Sequence, residues 1–146
     1  MRRDEFISIS SQAGLALCLA ALLGESCGSA VYFAKATVAA DRVSVPKSEF
    51  QYLKKEELRE RNFVFVKPPG AEFPVCLYKS SDTYTACLMR CTHQGCEVEV
   101  QGNRYVCPCH GSEFSTGGAV LDGPADRPLK TFKTTQDETH IHIWLA

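Results

Sequence analysis

The chain predicts an all-β fold, an antiparallel sandwich with a small subdomain inserted from about residue 90 to 125, and three observations predict it. Nearly every apolar run is short, rich in β-branched or aromatic residues and bounded by turn formers, the pattern of strands joined by turns. Toward the end, His140-Ile141-His142-Ile143-Trp144 alternates with period two, as a half-buried strand does. Helix signals, finally, are confined to one charged stretch after Ser48 and to the N-terminus. The 146 residues suffice for one domain behind a leader, and we divide them into a targeting or anchor segment, 1–30, and a folded domain, 31–146. The formal charge of −1, with acidic and basic residues mixed, leaves no footprint for nucleic acid.

Residues 1–30 open with Met1-Arg2-Arg3, followed by Phe6-Ile7 and an apolar run over 13–24 that meets no charge before Glu25. A basic start ahead of an apolar run is a targeting segment. Arg2-Arg3 before Phe6-Ile7 is similar to a twin-arginine signal, with one residue too many between them. The apolar run alone falls short of the ~20 residues that span a bilayer, but counted back to Phe6 it nearly reaches that length. An uncleaved membrane anchor is therefore the first expectation. Cleavage at Gly28-Ser29-Ala30, a small-x-small site, is the second. Glu25 makes Cys27 a poor lipoprotein site, and Cys18 reads as one more small apolar residue.

In the domain, residues 31–40 and 43–45 read as two strands with a turn at Asp41-Arg42, stopped by Pro46. Ser48-Glu49-Phe50-Gln51 has the Ser-x-x-Gln form of a capping box, and the good helix formers over 54–61 predict a short surface helix with a solvated, charged face. Phe63–Val66 is a strand ended by Lys67-Pro68-Pro69-Gly70. Residues 73–78 pair with 83–89 across Lys79-Ser80-Ser81-Asp82. On a symmetric pairing Cys76 faces Cys87, either as a disulfide or as two buried thiols. Residues 97–100 and 104–107 form a hairpin about Gln101-Gly102-Asn103. Gly117-Gly118 is a turn, and 130–134 and 140–145 are closing strands. His140 and His142 lie on the face opposite Ile141 and Ile143, as ordinary strand residues rather than ligands.

The chemistry sits in two boxes, Cys91-Thr92-His93-Gln94-Gly95-Cys96 and Cys107-Pro108-Cys109-His110-Gly111-Ser112, which hold four of the eight cysteines and two of the four histidines. The hairpin between them brings Cys91 near Cys107. Each box pairs a Cys with a His two or three positions away, Cys91 with His93 and Cys107 with His110, and leaves Cys96 and Cys109 over. Two thiolates and two imidazoles admit a tetrahedral zinc site or a 2Fe-2S cluster in which two His replace two Cys on one iron. The Cys-x-His gap is tighter than zinc knuckles use, and a single zinc leaves Cys96 and Cys109 without a role. No nucleophilic triad, carboxylate dyad or phosphate loop offers a competing chemistry.

These boxes resemble the signature of the Rieske iron-sulfur proteins, Cys-Thr-His-x-Gly-Cys followed by Cys-Pro-Cys-His-Gly-Ser. The resemblance implies that Cys91 and Cys107 hold one iron, that His93 and His110 hold the other through ring nitrogens, and that Cys96 and Cys109 form a disulfide clipping the loops together. It gives Ser112 a hydrogen bond to a bridging sulfide. It also implies three stacked antiparallel sheets, with a proline loop at Gly123-Pro124-Ala125 covering the cluster; Asp126 stands where the family often continues with Pro. The disulfide marks the high-potential branch found in quinol-oxidising cytochrome bc complexes, and it requires an oxidising compartment. That branch commonly has Tyr where this chain has Phe114, and Leu where it has Gln94.

What the resemblance implies for function is one-electron transfer through a single 2Fe-2S cluster, in the iron-sulfur subunit of a quinol:cytochrome c oxidoreductase rather than an enzyme on its own. The partners are then a quinol and cytochrome b- and c-type subunits. The location is the periplasmic side of a bacterial inner membrane, with the N-terminal segment as anchor. The alternative is an exported free-standing carrier, or the small subunit of a periplasmic oxidoreductase such as a molybdenum-containing oxidase. A retained anchor favours the first and a cleaved signal the second.

Overall fold

Alternation decides the layering in the computed structural model, which describes residues 31–145; the leader expected at 1–30 lies outside the described residues. Strands β2 (Arg42–Pro46) and β13 (His140–Trp144) bury every second side chain and pair so that Val43 meets Ile143 and Val45 meets Ile141. Burying an Ile or Val in this way contributes roughly 1.5–3 kcal/mol per side chain. Facing them stand β5 (Phe63–Val66), β6 (Val75–Ser80) and β7 (Thr83–Leu88), which supply Val64, Val66, Val75, Leu77 and Ala86 to the same core. One strand belongs to both sides. The start of β12 (Thr131–Gln136) bonds to β7 through Thr131 and Phe132, and the rest of it bonds to β13. With β1 (Thr37–Val38) at the edge, the order is β1-β2-β13-β12-β7-β6-β5, a sheet folded over on itself at β12.

The strands β5, β6 and β7 bury their second face as well, which is why Val75 to Tyr78 reads as an unbroken apolar run. Phe65, Cys76 and Cys87 point away from the first core into another, shared with Tyr105, Phe114, Cys91 and Cys107. Across that core lies a four-stranded sheet made of β8 (Glu99–Gln101), β9 (Arg104–Val106), β10 (Glu113–Ser115) and β11 (Val120–Asp122), ordered β11-β10-β9-β8. The domain is thus all-β with three stacked layers, as expected. Around Gly117-Gly118 the structure has a hairpin, β10 with β11, where only a turn is expected from the residues. Gly118 takes φ +88°, and a Cβ there would press on Thr131 at 3.2 Å and on the Cys87 sulfur at 3.4 Å.

The helix expected over 54–61 is a hairpin instead, β3 (Gln51–Lys54) with β4 (Glu57–Glu60). The apparent capping box is a short 3-10 turn, Lys47–Phe50, behind Pro46, with no side-chain cap. Helix propensity alone is a weak prior, and this stretch offers no apolar stripe for a helix to bury. The hairpin is anchored at its base: Phe50 is buried, the Arg61 amide donates to the Phe50 carbonyl at 2.8 Å, and the Arg61 guanidinium lies 3.7 Å from the Tyr32 ring centroid and 4.9 Å from that of Tyr52.

Cys76 and Cys87 do stand directly opposite each other on β6 and β7, and both are free, buried thiols. Burial pushes Cys76 up to about 12 and Cys87 up to about 11, so both stay protonated. The Tyr105 hydroxyl donates to the Thr116 carbonyl at 3.3 Å, and the Cys87 thiol donates to the same carbonyl at 3.6 Å. This buried polar knot ties the four-stranded sheet to the middle sheet. Among the described residues no helix is long and apolar enough to cross a membrane.

Candidate metal centre

Both boxes are closed loops of the same construction. The first is flanked by the bridge between Arg90 and Glu97, the second by the pairing of Val106 with Glu113. In the first, the Cys91 amide donates to the Cys96 carbonyl at 2.7 Å and the Gly95 amide to the Cys91 carbonyl at 2.9 Å. In the second, the Cys107 amide donates to the Ser112 carbonyl at 2.8 Å and the Gly111 amide to the Cys107 carbonyl at 2.9 Å. Closing so tight a loop needs a left-handed residue one place before its end. Gly95 at φ +81° and Gly111 at φ +76° occupy that place, where a residue with a Cβ is strained.

The loops bring all six predicted residues together. Cys91 and Cys107, the first residue of each loop, are buried free thiols near enough to influence each other's ionisation. His93 and His110 stand with their rings perpendicular and their centroids 4.9 Å apart. Cys96 and Cys109 are joined as a disulfide. Ser112 is fully buried; its Oγ accepts the Ala125 amide at 3.0 Å, and its hydroxyl lies close enough to favour the Cys91 thiolate. Burial pushes the Cys91 thiol up, against the pull of the His93 amide and the Ser112 hydroxyl, which favour the thiolate.

The residues fit a two-iron centre. His93 Nδ1 is buried and has no hydrogen-bond partner, a state that costs about 1–3 kcal/mol unless something accepts its lone pair. Two buried thiols beside it and a second imidazole complete two Cys and two His donors. The sulfurs of Cys96, Cys107 and Cys109 also fall within 4.8 Å of one another, but two of them are committed to the disulfide, so that trio is not a ligand set.

Other contacts join residues far apart in the chain and carry no signal in the residues themselves, although the family resemblance places Gly123-Pro124-Ala125 over the centre. The Gly123-Pro124-Ala125 loop is tied to the second box through Ser112. Just beyond it, Thr92 Oγ1 donates to the Arg127 carbonyl at 2.6 Å and Arg127 Nη2 donates to the Thr92 carbonyl at 3.2 Å, which ties the same segment to the first box. Only the equal spacing of Cys91 to Gly95 and Cys107 to Gly111 hinted at the matched backbones.

The family model of the Rieske [2Fe-2S] domain matches residues 48–133. The chain belongs to the Rieske family. It is 38% identical to the cytochrome b6-f complex iron-sulfur subunit of Chlorobaculum thiosulfatiphilum over 74 residues, 49% of this chain and 41% of that one. Over 55 residues it is 43% identical to the corresponding subunit of Synechococcus sp. (strain JA-2-3B'a(2-13)), 36% of this chain and 32% of the other. Its fold is similar to the crystal structure of the plasma membrane Rieske protein PetC3 from Synechocystis PCC 6803, at a TM-score of 0.50 and 35% identity, covering 56% of this chain and 85% of that one. The chain spans between 10% and 41% of the length of the curated relatives it matches. Membership of the Rieske family implies a 2Fe-2S cluster and one-electron transfer through it.

Proposed function

We propose that Cys91 and Cys107 hold one iron, that His93 and His110 hold the other, and that the chain is the iron-sulfur subunit of a quinol:cytochrome c oxidoreductase. A 2Fe-2S cluster with two neutral imidazoles in place of two thiolates supplies one-electron oxidation and reduction at a raised potential. Around it, Ser112 and the Cys96–Cys109 disulfide fix the loops. His93, with Nδ1 turned inward, keeps Nε2 for an outside partner, and exposed His110 offers a second ring edge. With the centre oxidised, either ring, once it has lost its outer Nε2 proton, would accept a hydrogen bond from a quinol hydroxyl and take its proton, while one electron would pass to the cluster.

The observation that carries the redox reading is the disulfide across the two loops, with His93 and His110 beside it near the surface; the exported alternative shares that disulfide. Similarity to subunits of cytochrome b6-f complexes supports the first reading. In this reading residues 1–30 anchor the domain on the periplasmic face of a bacterial inner membrane, beside cytochrome b- and c-type subunits. Gln94, polar and exposed at the tip of the first loop, favours the second reading, an exported carrier or small subunit of a periplasmic oxidoreductase.

Isolation of the full-length protein from detergent-solubilised membranes decides between them. The expected preparation is reddish-brown, gives the rhombic EPR signal of a mixed-ligand 2Fe-2S centre when reduced, and carries b- and c-type haem visible in its absorption spectrum. The same protein recovered without haem from the soluble periplasmic fraction supports the second reading. A colourless protein holding one zinc overturns both.

A further inference from the structure

Beside His93 lies a groove of about 510 Å³ whose lining includes Arg90, Arg127 and Lys130 and no carboxylate. Each cation is positioned by something other than an acid. The Arg90 guanidinium lies 5.7 Å from the Phe73 ring centroid and packs on Gly95, where a Cβ would meet its Nε at 3.2 Å. The Lys130 ammonium stands 5.0 Å from the Phe132 centroid. Arg127 is held by the Thr92 carbonyl. A contact with an aromatic face or a carbonyl orients a cation without cancelling its charge. Among the described residues neither Arg90 nor Lys130 forms an ion pair. Arg127 approaches Asp126 only at 3.7 Å, with both side chains largely exposed, where such a pair is nearly worthless. The groove continues past Leu88, Arg90 and Lys130 into a second hollow of about 390 Å³, walled by Pro68, Phe73 and Phe132, with Glu72 as its single acid.

We propose that this groove is the docking site for an acidic face of the protein that exchanges electrons with this domain. The proposal rests on the reading of Cys91, His93, Cys107 and His110 as the redox centre, since His93 itself lines the groove. The whole chain has a formal charge of only −1, so attraction is local and orients the partner with His93 toward it. A concave, apolar-floored hollow fits the projecting side chains of a protein, whereas a lipid surface calls for cations on a convex face. Steering by a local field of this kind raises association rates by ~10 to 10³ and fades as salt shortens the Debye length to roughly 10 Å at 0.1 M.

Stopped-flow oxidation of the reduced, cluster-loaded full-length protein in neutral detergent tests the field without knowledge of the partner. Ferricyanide serves as the anionic oxidant and tris(phenanthroline)cobalt(III) as the cationic one. Ferricyanide should react fastest at low salt and slow as salt rises. Arg127→Glu with Lys130→Glu should cut its low-salt rate about tenfold, while the cationic oxidant gains; Lys54→Glu, on the remote hairpin, should change neither. Potentials measured alongside keep the driving forces comparable. Ferricyanide rates indifferent to salt and to the double variant overturn the proposal. Loss of binding to phosphatidylglycerol vesicles in the double variant, with ferricyanide rates unchanged, replaces the protein partner with a membrane surface and overturns it as well. A protein with no EPR signal indicts the metal reading instead, so the two failures are separable.

Discussion

The two ligand loops share one backbone and differ in what stands behind it. Each runs six residues, with matching hydrogen bonds and a left-handed glycine in fifth place. The first ends in Cys96, whose sulfur is committed to the disulfide, and its Gly95 is pressed by Arg90 at the rim of a cationic groove. The second ends in Ser112, buried under Ala125, with Phe114 fully buried beyond it, and a Cβ on its Gly111 would meet nothing within 4 Å. The loop itself is thus a generic device that turns one thiol inward and offers one imidazole outward. On the reading proposed above, the first meets a partner and the second tunes the centre. Three experiments break or sharpen this division, from the largest effect to the smallest.

The largest separates holding the metal from clipping the loops. Cys91→Ser or Cys107→Ser should abolish the EPR signal outright, because each removes a donor that no neighbour replaces. Cys96→Ser with Cys109→Ser should leave the signal but make it labile. The disulfide closes a loop of 13 residues in sequence separation, a constraint worth about 3 kcal/mol, and thermal unfolding should shift down accordingly. If the double variant loses the signal as completely as the ligand variants do, the clip and the ligands are not separate functions.

The glycines give the middle effect. Alanine at a left-handed position costs roughly 1–2 kcal/mol, so Gly111→Ala should destabilise the domain by about that much in denaturant titrations. Gly95→Ala carries the same backbone cost and must also displace Arg90 from 3.2 Å. It should therefore cost more and, unlike Gly111→Ala, weaken the salt dependence of ferricyanide oxidation. Equal costs and equal kinetics would mean that Arg90 yields freely and the loops are interchangeable.

How much of this was legible in the sequence follows from how local each cause is. The His140–Trp144 alternation placed Ile141 and Ile143 inward correctly because a strand's period is written residue by residue. The boxes foretold that Cys91, His93, Cys107 and His110 come together because their spacing is itself the loop. The helix expected over 54–61 is a hairpin because what anchors it, buried Phe50 and the Tyr32 and Tyr52 rings that hold Arg61, lies outside that stretch, while Lys55 and Glu56 take positive φ that their types do not signal. Strands β10 and β11, at three residues each, are too short to show a period. Arg90, Arg127 and Lys130 meet only because Leu88 and Lys130 are joined backbone to backbone where β7 meets the segment leading into β12, a juxtaposition no local pattern records.

The smallest effect lies in the second loop and asks whether it does tune the centre. A hydrogen bond to a cluster sulfur stabilises the reduced, more negative state over the oxidised one, so each donor raises the potential. In the proposed centre Ser112 would supply one such donor. At the matching place in the first loop, Cys96 is occupied by its disulfide and supplies none. Phe114 is fully buried in the same core as Cys91 and Cys107, and its ring carries no hydroxyl where the quinol-oxidising branch commonly has tyrosine. A differential hydrogen-bond strength of roughly 1 kcal/mol corresponds to about 40 mV for one electron. Phe114→Tyr should therefore raise the potential by about that amount at fixed pH, and Ser112→Ala should lower it by a similar amount. Ser112→Ala also leaves the Ala125 amide without its acceptor, so it should lower thermal stability too, which Phe114→Tyr should not if the ring has room for its hydroxyl. The rhombic EPR signal, retained in both, certifies that the ligands are in place. A Phe114→Tyr protein with that signal intact and its potential unmoved would show the ring edge turned away from the sulfurs, and the tuning role of the second loop would then rest on Ser112 alone.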